Sequence, residues 1–177
     1  MYRKLLLIPV FLSLFADSFA KERFTYITID DGLSQSSGKA IAQDNYGYMW
    51  FGTADGLNRY DGYSITKYYN TPANNLSLPG NDISFLYSNP YDSSLWIGTQ
   101  NAGPALYVRE IDDFRNFRSQ LNNLNNGVFG HISDMAAIDK TRLAISTREN
   151  GIYIFNSVDS TFTVPEFCSE KPLTQVY

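Results

Sequence analysis

Short strands separated by turns are the pattern that dominates this chain. The run from Tyr48 to Tyr68 divides into three strands: the first is rich in aromatic and β-branched residues, and the second, Leu57 to Tyr60, alternates between two faces. Such segments suit a pleated, half-buried sheet. The turns between them contain Asp-Gly pairs, which favour tight hairpins. Because three short strands cannot cover their own apolar face, this meander predicts a larger all-β assembly.

The same pattern recurs twice further along the chain. Leu95–Thr99 (L-W-I-G-T) repeats Met49–Thr53 (M-W-F-G-T), and Leu143–Thr147 (L-A-I-S-T) is a third copy that lacks the Trp and the Gly. The two tryptophans are 46 residues apart, and the third copy follows after 48 more. A period in the forties with several strands per repeat is typical of β-propeller blades. The sequence therefore predicts an all-β fold of about three blades, each of four antiparallel strands, in an incomplete ring.

Residues that recur in the copies are expected to be structural, because a residue required in every blade fills the space between sheets. These repeat positions are Trp50, Gly52, Thr53, Gly56, Tyr60, Trp96, Gly98, Thr99, Tyr107, Thr147, Gly151 and Tyr153. The glycines after the tryptophans are expected to let a neighbouring backbone approach closely. Aromatic residues that do not recur are better candidates for stacking on a sugar ring, and the sequence does not choose among them. They are Tyr46, Tyr48, Tyr63 and Tyr91.

Three motifs, in this order, resemble the two-component regulator propeller repeats. They are D-G-L-S-Q at Asp31–Gln35, Q-D-N-Y-G-Y-M-W-F-G-T at Gln43–Thr53 and D-G-L-N-R-Y-D-G at Asp55–Gly62. The resemblance extends over roughly Phe24–Val164. Repeats of this family form the periplasmic sensor region of bacterial hybrid two-component systems, many of them in bacteria that use polysaccharides. The resemblance implies a module that detects a ligand, with an oligosaccharide as the expected class, while phosphotransfer belongs to a histidine kinase region across the membrane.

The blades are expected at about residues 39–69, 83–118 and 132–164, joined by links rich in Asn, Ser, Pro and Gly. Residues 24–29 alternate as a strand does, and the resemblance assigns this strand to a closing blade. Residues 21–164 would then be a partial propeller and residues 165–177 a tail. Known rings need four to eight blades. We therefore expect the chain to be the N-terminal fragment of a longer sensor without its kinase region, or to complete a ring with further blades or another copy.

Composition and the first twenty residues indicate where the protein is located and which partners are disfavoured. The 177 residues are 44% hydrophobic and 15% aromatic, which excludes disorder, and the net charge of −4 without basic clusters disfavours nucleic acid. Residues 1–20 combine a basic start, an apolar run and small residues before Ala20, as a secretory signal peptide does. The run is too short to span a membrane, so export to the periplasm and cleavage after Ala20 are expected. Cys168 is the only cysteine, so no internal disulfide forms.

Candidate catalytic and metal-binding residues are few. The aspartates stand beside Gly, Asn or Pro at turns, which explains them without catalysis. Asp55, Asn58 and Asp61 resemble a calcium loop only faintly, since the bidentate Glu is missing. His131 is the sole histidine, too few for a zinc site or a Ser-His pair. No catalytic residue, metal or cofactor is expected, and the chain is not expected to be an enzyme. Two alternatives to a sensor remain: a secreted propeller enzyme acting on polysaccharide, and a protein-binding scaffold.

Overall fold

Residues 24–121 and 129–166 are described by the computed structural model of the chain, and they form three four-stranded antiparallel sheets. Blade one contains β1 (Gly38–Gln43), β2 (Met49–Thr53), β3 (Gly56–Tyr60) and β4 (Ile65–Tyr68). Blade two contains β5 (Ile83–Ser88), β6 (Leu95–Thr99), β7 (Pro104–Val108) and β8 (Asp113–Asn116). Blade three contains β9 (Ile132–Ala137), β10 (Arg142–Thr147), β11 (Gly151–Asn156) and β12 (Thr161–Thr163). The predicted fold class, an incomplete all-β propeller of about three blades, is confirmed.

The order of the strands gives each blade two distinct ends. Within every sheet the strands pair in chain order, so successive turns alternate between one end and the other. The turns after the first and third strands lie at one end, which we call the turn end. The turns after the second strands lie at the other end together with the links between blades, and we call this the link end.

The blades pack face to face along two interfaces, which hold the core. The first seam, between blades one and two, buries Trp50, Leu57, Leu78, Ile83, Leu86, Leu95, Ile97, Ala105, Tyr107 and Phe114. The second seam, between blades two and three, buries Trp96, Phe117, Phe129, Ile132, Met135, Leu143, Ile145, Tyr153, Phe155 and Phe162. Trp50 is 0% exposed and Trp96 is 3% exposed. Since burying one large apolar side chain contributes ~1.5–3 kcal/mol, these seams stabilise the arrangement of the blades.

Glycine is required where the first strand of the next blade crosses the second strand of the previous one. A Cβ at Gly52 would lie 2.5 Å from Cγ2 of Ile83, and a Cβ at Gly98 would lie 2.8 Å from Cγ2 of Ile132. Both distances are far shorter than van der Waals contact. The close neighbour is thus an isoleucine side chain, rather than the backbone that the sequence led us to expect.

Every first strand begins with a bulge, and in blades one and two the bulged residue reaches toward the next blade. The register shifts at Lys39, Ser84 and Ser133, and a bulge of this kind re-aims a side chain. Lys39 Nζ donates to Asp82 Oδ1 at 2.6 Å, and Ser84 Oγ donates to the carbonyl oxygen of Ile132 at 2.7 Å. Both acceptors lie where the first strand of the following blade starts, so the bulges add a polar link between neighbouring blades.

The expected strand at residues 24–29 is not formed. Residues 24–28 belong to none of the three sheets, and Phe24 and Tyr26 are 82% and 85% exposed. A strand needs a neighbouring edge for its backbone hydrogen bonds, and no edge of the described sheets pairs with this segment. Its role in a closing blade remains a prediction.

Helical structure in the described residues is limited to short pieces that the strand pattern does not predict. A 3₁₀ turn spans Arg109–Ile111 and one α-helical turn spans Arg118–Leu121. No helix in this part of the chain is long and apolar enough to cross a bilayer. The predicted signal peptide at residues 1–20, Cys168 and most of the predicted tail lie outside the described residues.

Candidate functional site

The recurring threonines close the turns at the link end. Thr53, Thr99 and Thr147 each donate through Oγ1 to a glycine carbonyl, at 2.9, 2.7 and 3.0 Å. Each Oγ1 also accepts a backbone N–H two or three residues later, at 3.1 Å in all blades. The acceptor glycines, Gly56, Gly103 and Gly151, have positive φ angles, which glycine adopts without strain. These repeat positions are therefore occupied in structural hydrogen bonds.

Strand pairing assigns one recurring tyrosine to a different position from the sequence alignment. The residues paired with Trp50, Trp96 and Ala144 are Arg59, Leu106 and Ile154. The residues that follow these partners are Tyr60, Tyr107 and Phe155. Tyr153 pairs instead with Ile145, so its counterparts in the other blades are Asn58 and Ala105. Phe155, rather than Tyr153, is the equivalent of Tyr107.

Four polar side chains meet at the first seam: Arg59 and Tyr68 from blade one, and Tyr107 and Asp112 from blade two. We call them the polar quartet. The hydroxyls of Tyr107 and Tyr68 donate to Asp112 Oδ1 at 2.6 and 2.7 Å. Arg59 Nη1 lies 2.5 Å from the same oxygen and 2.6 Å from the Tyr107 hydroxyl. Because the Arg59 side chain is only 17% exposed, this ion pair is largely removed from water on the arginine side.

The electrostatics of the polar quartet favour one charge state. Burial tends to raise the pKa of Asp112, but hydrogen bonds from Tyr107, Tyr68 and Arg59 outweigh it and hold this pKa below its usual value. Burial and the hydrogen bond to Asp112 raise the pKa of Tyr107 to about 12 and also raise the pKa of Tyr68. Burial opposes the charge on Arg59, yet the carboxylate of Asp112 keeps the pKa of this arginine raised. Near neutral pH the quartet is thus an ion pair with two protonated tyrosines, which fastens the blades together and offers no mobile proton.

Asp44 is a second charged group of the first seam. Its carboxylate accepts Trp50 Nε1–H at 3.0 Å and the backbone N–H groups of Tyr46 and Tyr48 at 2.9 and 3.0 Å. It also pairs with Arg109 of blade two at 2.8 Å, and the side chain of Asp44 is 1% exposed. A buried carboxylate needs such donors to remain charged. Asp44 is therefore engaged in holding Trp50 and the seam.

A small cavity opens beside this ion pair at the turn end, and we call it the seam cavity. Its volume is about 160 Å³, and it is lined by Asp44, Tyr46, Asp92, Ser93, Ser94, Leu95, Tyr107, Arg109 and Glu110. Tyr46 is 65% exposed, and Cζ of Arg109 lies 3.5 Å from its ring centroid, so one ring face is covered. Among the candidate stacking tyrosines, the structure places Tyr46 at a cavity, whereas Tyr63 and Tyr91 lie exposed outside its lining.

A larger cavity lies at the link between blades one and two, and we call it the link groove. Its volume is about 400 Å³, and it is lined by Asn70, Thr71, Pro72, Ala73, Asn74, Asn75, Pro79, Asn116 and Arg118. Ligand pockets are usually ~300–1,000 Å³, so only this groove of the two reaches the usual size. The sequence predicts a connecting segment at residues 70–79 and places Asn116 and Arg118 in blade two, and it gives no sign of the cavity, which forms where the link meets the end of blade two.

The other candidate residues are dispersed in structural roles. Asp55 Oδ1 accepts from Asn81 at 3.1 Å, Asn58 is buried and accepts the Ser34 N–H at 2.8 Å, and Asp61 accepts N–H groups of its own turn. The backbone N–H of His131 donates to Glu149 at 2.8 Å. Within residues 24–121 and 129–166, no three His, Cys, Asp or Glu side chains are grouped as metal ligands would be.

Comparison with known proteins agrees with the motifs and the fold. Residues 32–55 match the family model of the two component regulator propeller, which confirms the resemblance. A histidine kinase of Formosa agariphila is 46% identical over 61 residues, which cover 34% of this chain and 4% of the kinase. The extracellular domain of a proposed hybrid two-component system of B. thetaiotaomicron superposes with a TM-score of 0.69 at 27% identity, over 80% of this chain and 20% of that one.

A second extracellular domain supports the fold. It belongs to a proposed one-component system of B. thetaiotaomicron and superposes with a TM-score of 0.60 at 20% identity, over 79% of this chain and 19% of that one. The chain therefore spans about a fifth of each solved domain, and a much smaller part of the kinase.

Proposed function

We propose that this chain, which carries a two-component regulator propeller repeat, is a ligand-sensing module of a two-component signal transduction system and detects glycan breakdown products. It binds its ligand and passes on a signal, and it carries out no chemistry itself. The observation that carries this proposal is the likeness of 80% of the chain to the extracellular domain of a proposed hybrid two-component system.

The side chains at the two cavities support a binding role. The seam cavity and the link groove are lined with carboxylate, amide and guanidinium groups, which donate to or accept from hydroxyls in fixed directions. The most buried acid, Asp44, is held by Trp50 and Arg109, and Asp112 is held by the polar quartet. Acids fixed in this way stabilise the fold and favour a sensor over a polysaccharide-cleaving enzyme, which needs two free carboxyl groups across a scissile bond.

A glycan screen tests the proposal. The mature chain is mixed with a panel of neutral and acidic oligosaccharides, its melting temperature is followed, and each mixture is then analysed by chromatography. We expect a rise in melting temperature with one class of oligosaccharide, because a ligand that binds only the folded state stabilises it, and no change in the oligosaccharide. Hydrolysis of a glycan, or a panel without any binder, would contradict the sensor proposal.

Export to the periplasm is the second part of the proposal. The basic start, the apolar run and the small residues before Ala20 support cleavage at that position. The chain expressed with its leader in a Gram-negative host should appear in the periplasmic fraction with Lys21 as its first residue. Membrane-bound product that still begins with Met1 would contradict this assignment.

Completion of the ring by further blades is the third part. The face of blade one that points away from the first seam leaves Ile41 63% exposed, and the face of blade three that points away from the second seam lines a shallow depression with Ala136, Ala144 and Ile152. Apolar residues on open sheet faces favour association. Sedimentation should therefore detect self-association of the isolated mature chain. A compact monomer that unfolds cooperatively at micromolar concentration would show that three blades suffice.

A further inference from the structure

We infer that the link groove is the ligand site and that it selects a sugar with an anionic group, a carboxylate or a sulfate. This inference rests on the proposed function and names its site and ligand class. The starting observation is a contrast in charge: the protein carries a net charge of −4, yet none of the described residues that line the groove is acidic.

Arg118 supplies the positive charge of the groove. It lies at its rim, and within the described residues its guanidinium has neither an ion-pair nor a hydrogen-bond partner. Its backbone position is anchored, because the preceding Phe117 is 0% exposed in the second seam. A guanidinium without a partner is free to bind carboxylate or sulfate oxygens through two parallel hydrogen bonds.

The link that forms the other wall is a closed loop with ordered ends. Asn70 N–H donates to Asn81 Oδ1 at 2.6 Å, and Asn70 Nδ2 donates to the carbonyl oxygen of Leu78 at 2.5 Å. Leu78 is 0% exposed in the first seam and holds the loop against the core. Compact surface loops whose ends meet in this way are frequently functional.

Blade two fixes the same loop from the opposite side. Asn116 Nδ2 donates to the carbonyl oxygens of Asn75 and Ser77 at 2.8 and 3.2 Å, and the Phe114 N–H donates to the carbonyl oxygen of Leu76 at 2.7 Å. The groove is therefore formed before a ligand arrives, which lowers the entropic cost of binding.

The remaining lining is amide-rich and suited to hydroxyl groups. Asn70, Asn74, Asn75 and Asn116 all line the groove, and each amide combines donors with an acceptor in one plane. Within the described residues the Asn75 amide has no hydrogen-bond partner, so it is available to a ligand. The seam cavity differs from the link groove in size and in charge. It is smaller, and it carries Asp44, Asp92 and Glu110, which repel an anion.

Calorimetry with defined sugars on the mature chain tests the inference. The probes are digalacturonate, galactose 6-sulfate, the neutral disaccharide galactobiose, and sodium sulfate. We expect one or both acidic sugars to bind at least tenfold more tightly than galactobiose, and sodium sulfate alone to bind far more weakly than the acidic sugar. Which acidic sugar binds distinguishes a carboxylate ligand from a sulfate ligand.

Matched variants locate the site. Arg118→Ala and Asn75→Asp should each weaken binding of the acidic sugar by about tenfold or more, because the first removes the cation and the second adds a repelling carboxylate. Arg148→Ala, a matched loss of charge on an exposed turn of blade three, should leave affinity within about twofold, and Tyr46→Ala in the seam cavity should do the same. The circular dichroism spectrum of each variant checks that the sheets are intact.

Other outcomes separate this inference from the proposed function. If Tyr46→Ala abolishes binding of an acidic sugar and Arg118→Ala leaves it unchanged, the link groove is not the ligand site, while the proposed sensor function stands. Equal affinity for galactobiose, or for sodium sulfate, would overturn the selection of acidic sugars. If none of these probes binds but a neutral oligosaccharide from the wider screen does, the inference of an acidic ligand is wrong, while the proposed sensor function stands.

Discussion

The first and second seams place four aromatic rings in the same arrangement. The rings are Trp50, Tyr68, Tyr107 and Phe114 at the first seam, and Trp96, Phe117, Phe155 and Phe162 at the second. Each tryptophan stacks on one ring, at 5.7 and 5.5 Å, and meets another edge-on, at 4.7 and 4.9 Å. Such pairs add ~0.5–1.5 kcal/mol each beyond the area that they bury.

The polar groups around those rings differ completely. At the second seam Leu106, Phe117, Phe155 and Ser160 occupy the positions that the polar quartet occupies at the first. The backbone is conserved even where the chemistry is not, since Asp112 and Ser160 both lie in the left-handed region, with φ of 50° and 57°. The cavity beside the seam shrinks from about 160 to about 10 Å³. Ring packing therefore defines the blade interface, while hydroxyls and charges vary around it.

Loss of a tryptophan should have the largest effect on either seam. Trp50→Ala and Trp96→Ala should each lower the free energy of unfolding by ~3–5 kcal/mol. Trp50→Ala should cost about 1 kcal/mol more, because the buried carboxylate of Asp44 loses its Nε1–H donor. Urea unfolding followed by circular dichroism measures both, with Tyr63→Ala, at a 97% exposed residue, as the control. Equal costs for the two tryptophans would argue that Asp44 finds another donor.

A methyl group at Gly98, the glycine where strands cross in the second seam, should have the next largest effect. Gly98→Ala should lower the free energy of unfolding by ~1–3 kcal/mol, because the new Cβ overlaps Ile132. Gly38→Ala is the matched control, since nothing lies within 4 Å of its Cβ and its φ is not positive. That variant should keep or slightly raise stability. A neutral Gly98→Ala would mean that blade three can shift away from blade two.

Removal of the Asp112 carboxylate tests how much the polar quartet stabilises the first seam. Asp112→Ala should lower the free energy of unfolding by ~1–2 kcal/mol, because Arg59 and two tyrosine hydroxyls lose their acceptor. The carboxylate side chain is 51% exposed, so solvent screens part of this loss.

Replacing all four residues of the polar quartet by their equivalents at the second seam should destabilise the protein far less than Asp112→Ala does. Apolar replacement of a whole ion-pair cluster leaves no buried charge unpaired, so stability should stay within ~1 kcal/mol of the native protein. The variant combines Arg59→Leu, Tyr68→Phe, Tyr107→Phe and Asp112→Ser. If it proved as unstable as Asp112→Ala or worse, ring packing alone would not suffice at the first seam.

Alkaline pH should weaken the first seam slightly, because two of its tyrosine hydroxyls have raised pKa values. The pKa of Tyr107 rises from 10.0 to about 12 on folding, so its contribution to stability is complete below pH 10 and is lost as the pH rises through about 12. Tyr107→Phe should therefore lose less stability than the native chain over this range. Urea unfolding at stepped pH provides the measurement. As the converse test, Phe155→Tyr adds a hydroxyl at the second seam and should introduce there the loss of stability at alkaline pH that Tyr107→Phe removes from the first seam. Parallel pH profiles for the native chain and Tyr107→Phe would contradict the shifted pKa.

The positions of the strands, the number of blades and the family of the repeat can be predicted from the sequence alone. Alternation between two faces, Asp-Gly turns and the spacing of Trp50 and Trp96 are local features, so they can be read without knowing which segments meet. The close approach at Gly52 and Gly98 can likewise be predicted from their place after the tryptophans. The approaching group cannot, because it is an isoleucine side chain of the next blade rather than a backbone.

The register of the strands, the charged clusters and the cavities depend on contacts between distant segments. Asp112 lies 53 residues from Arg59, and Arg109 lies 65 residues from Asp44, so no local pattern predicts their contact. The alignment of Tyr153 with Tyr107 failed because pairing between strands, rather than the order of aromatics, fixes which residues correspond. Residues 24–28 have the pattern of a strand, but none of the described sheets pairs with them. The link groove forms where Asn116 and Phe114 of blade two hold the loop that follows blade one.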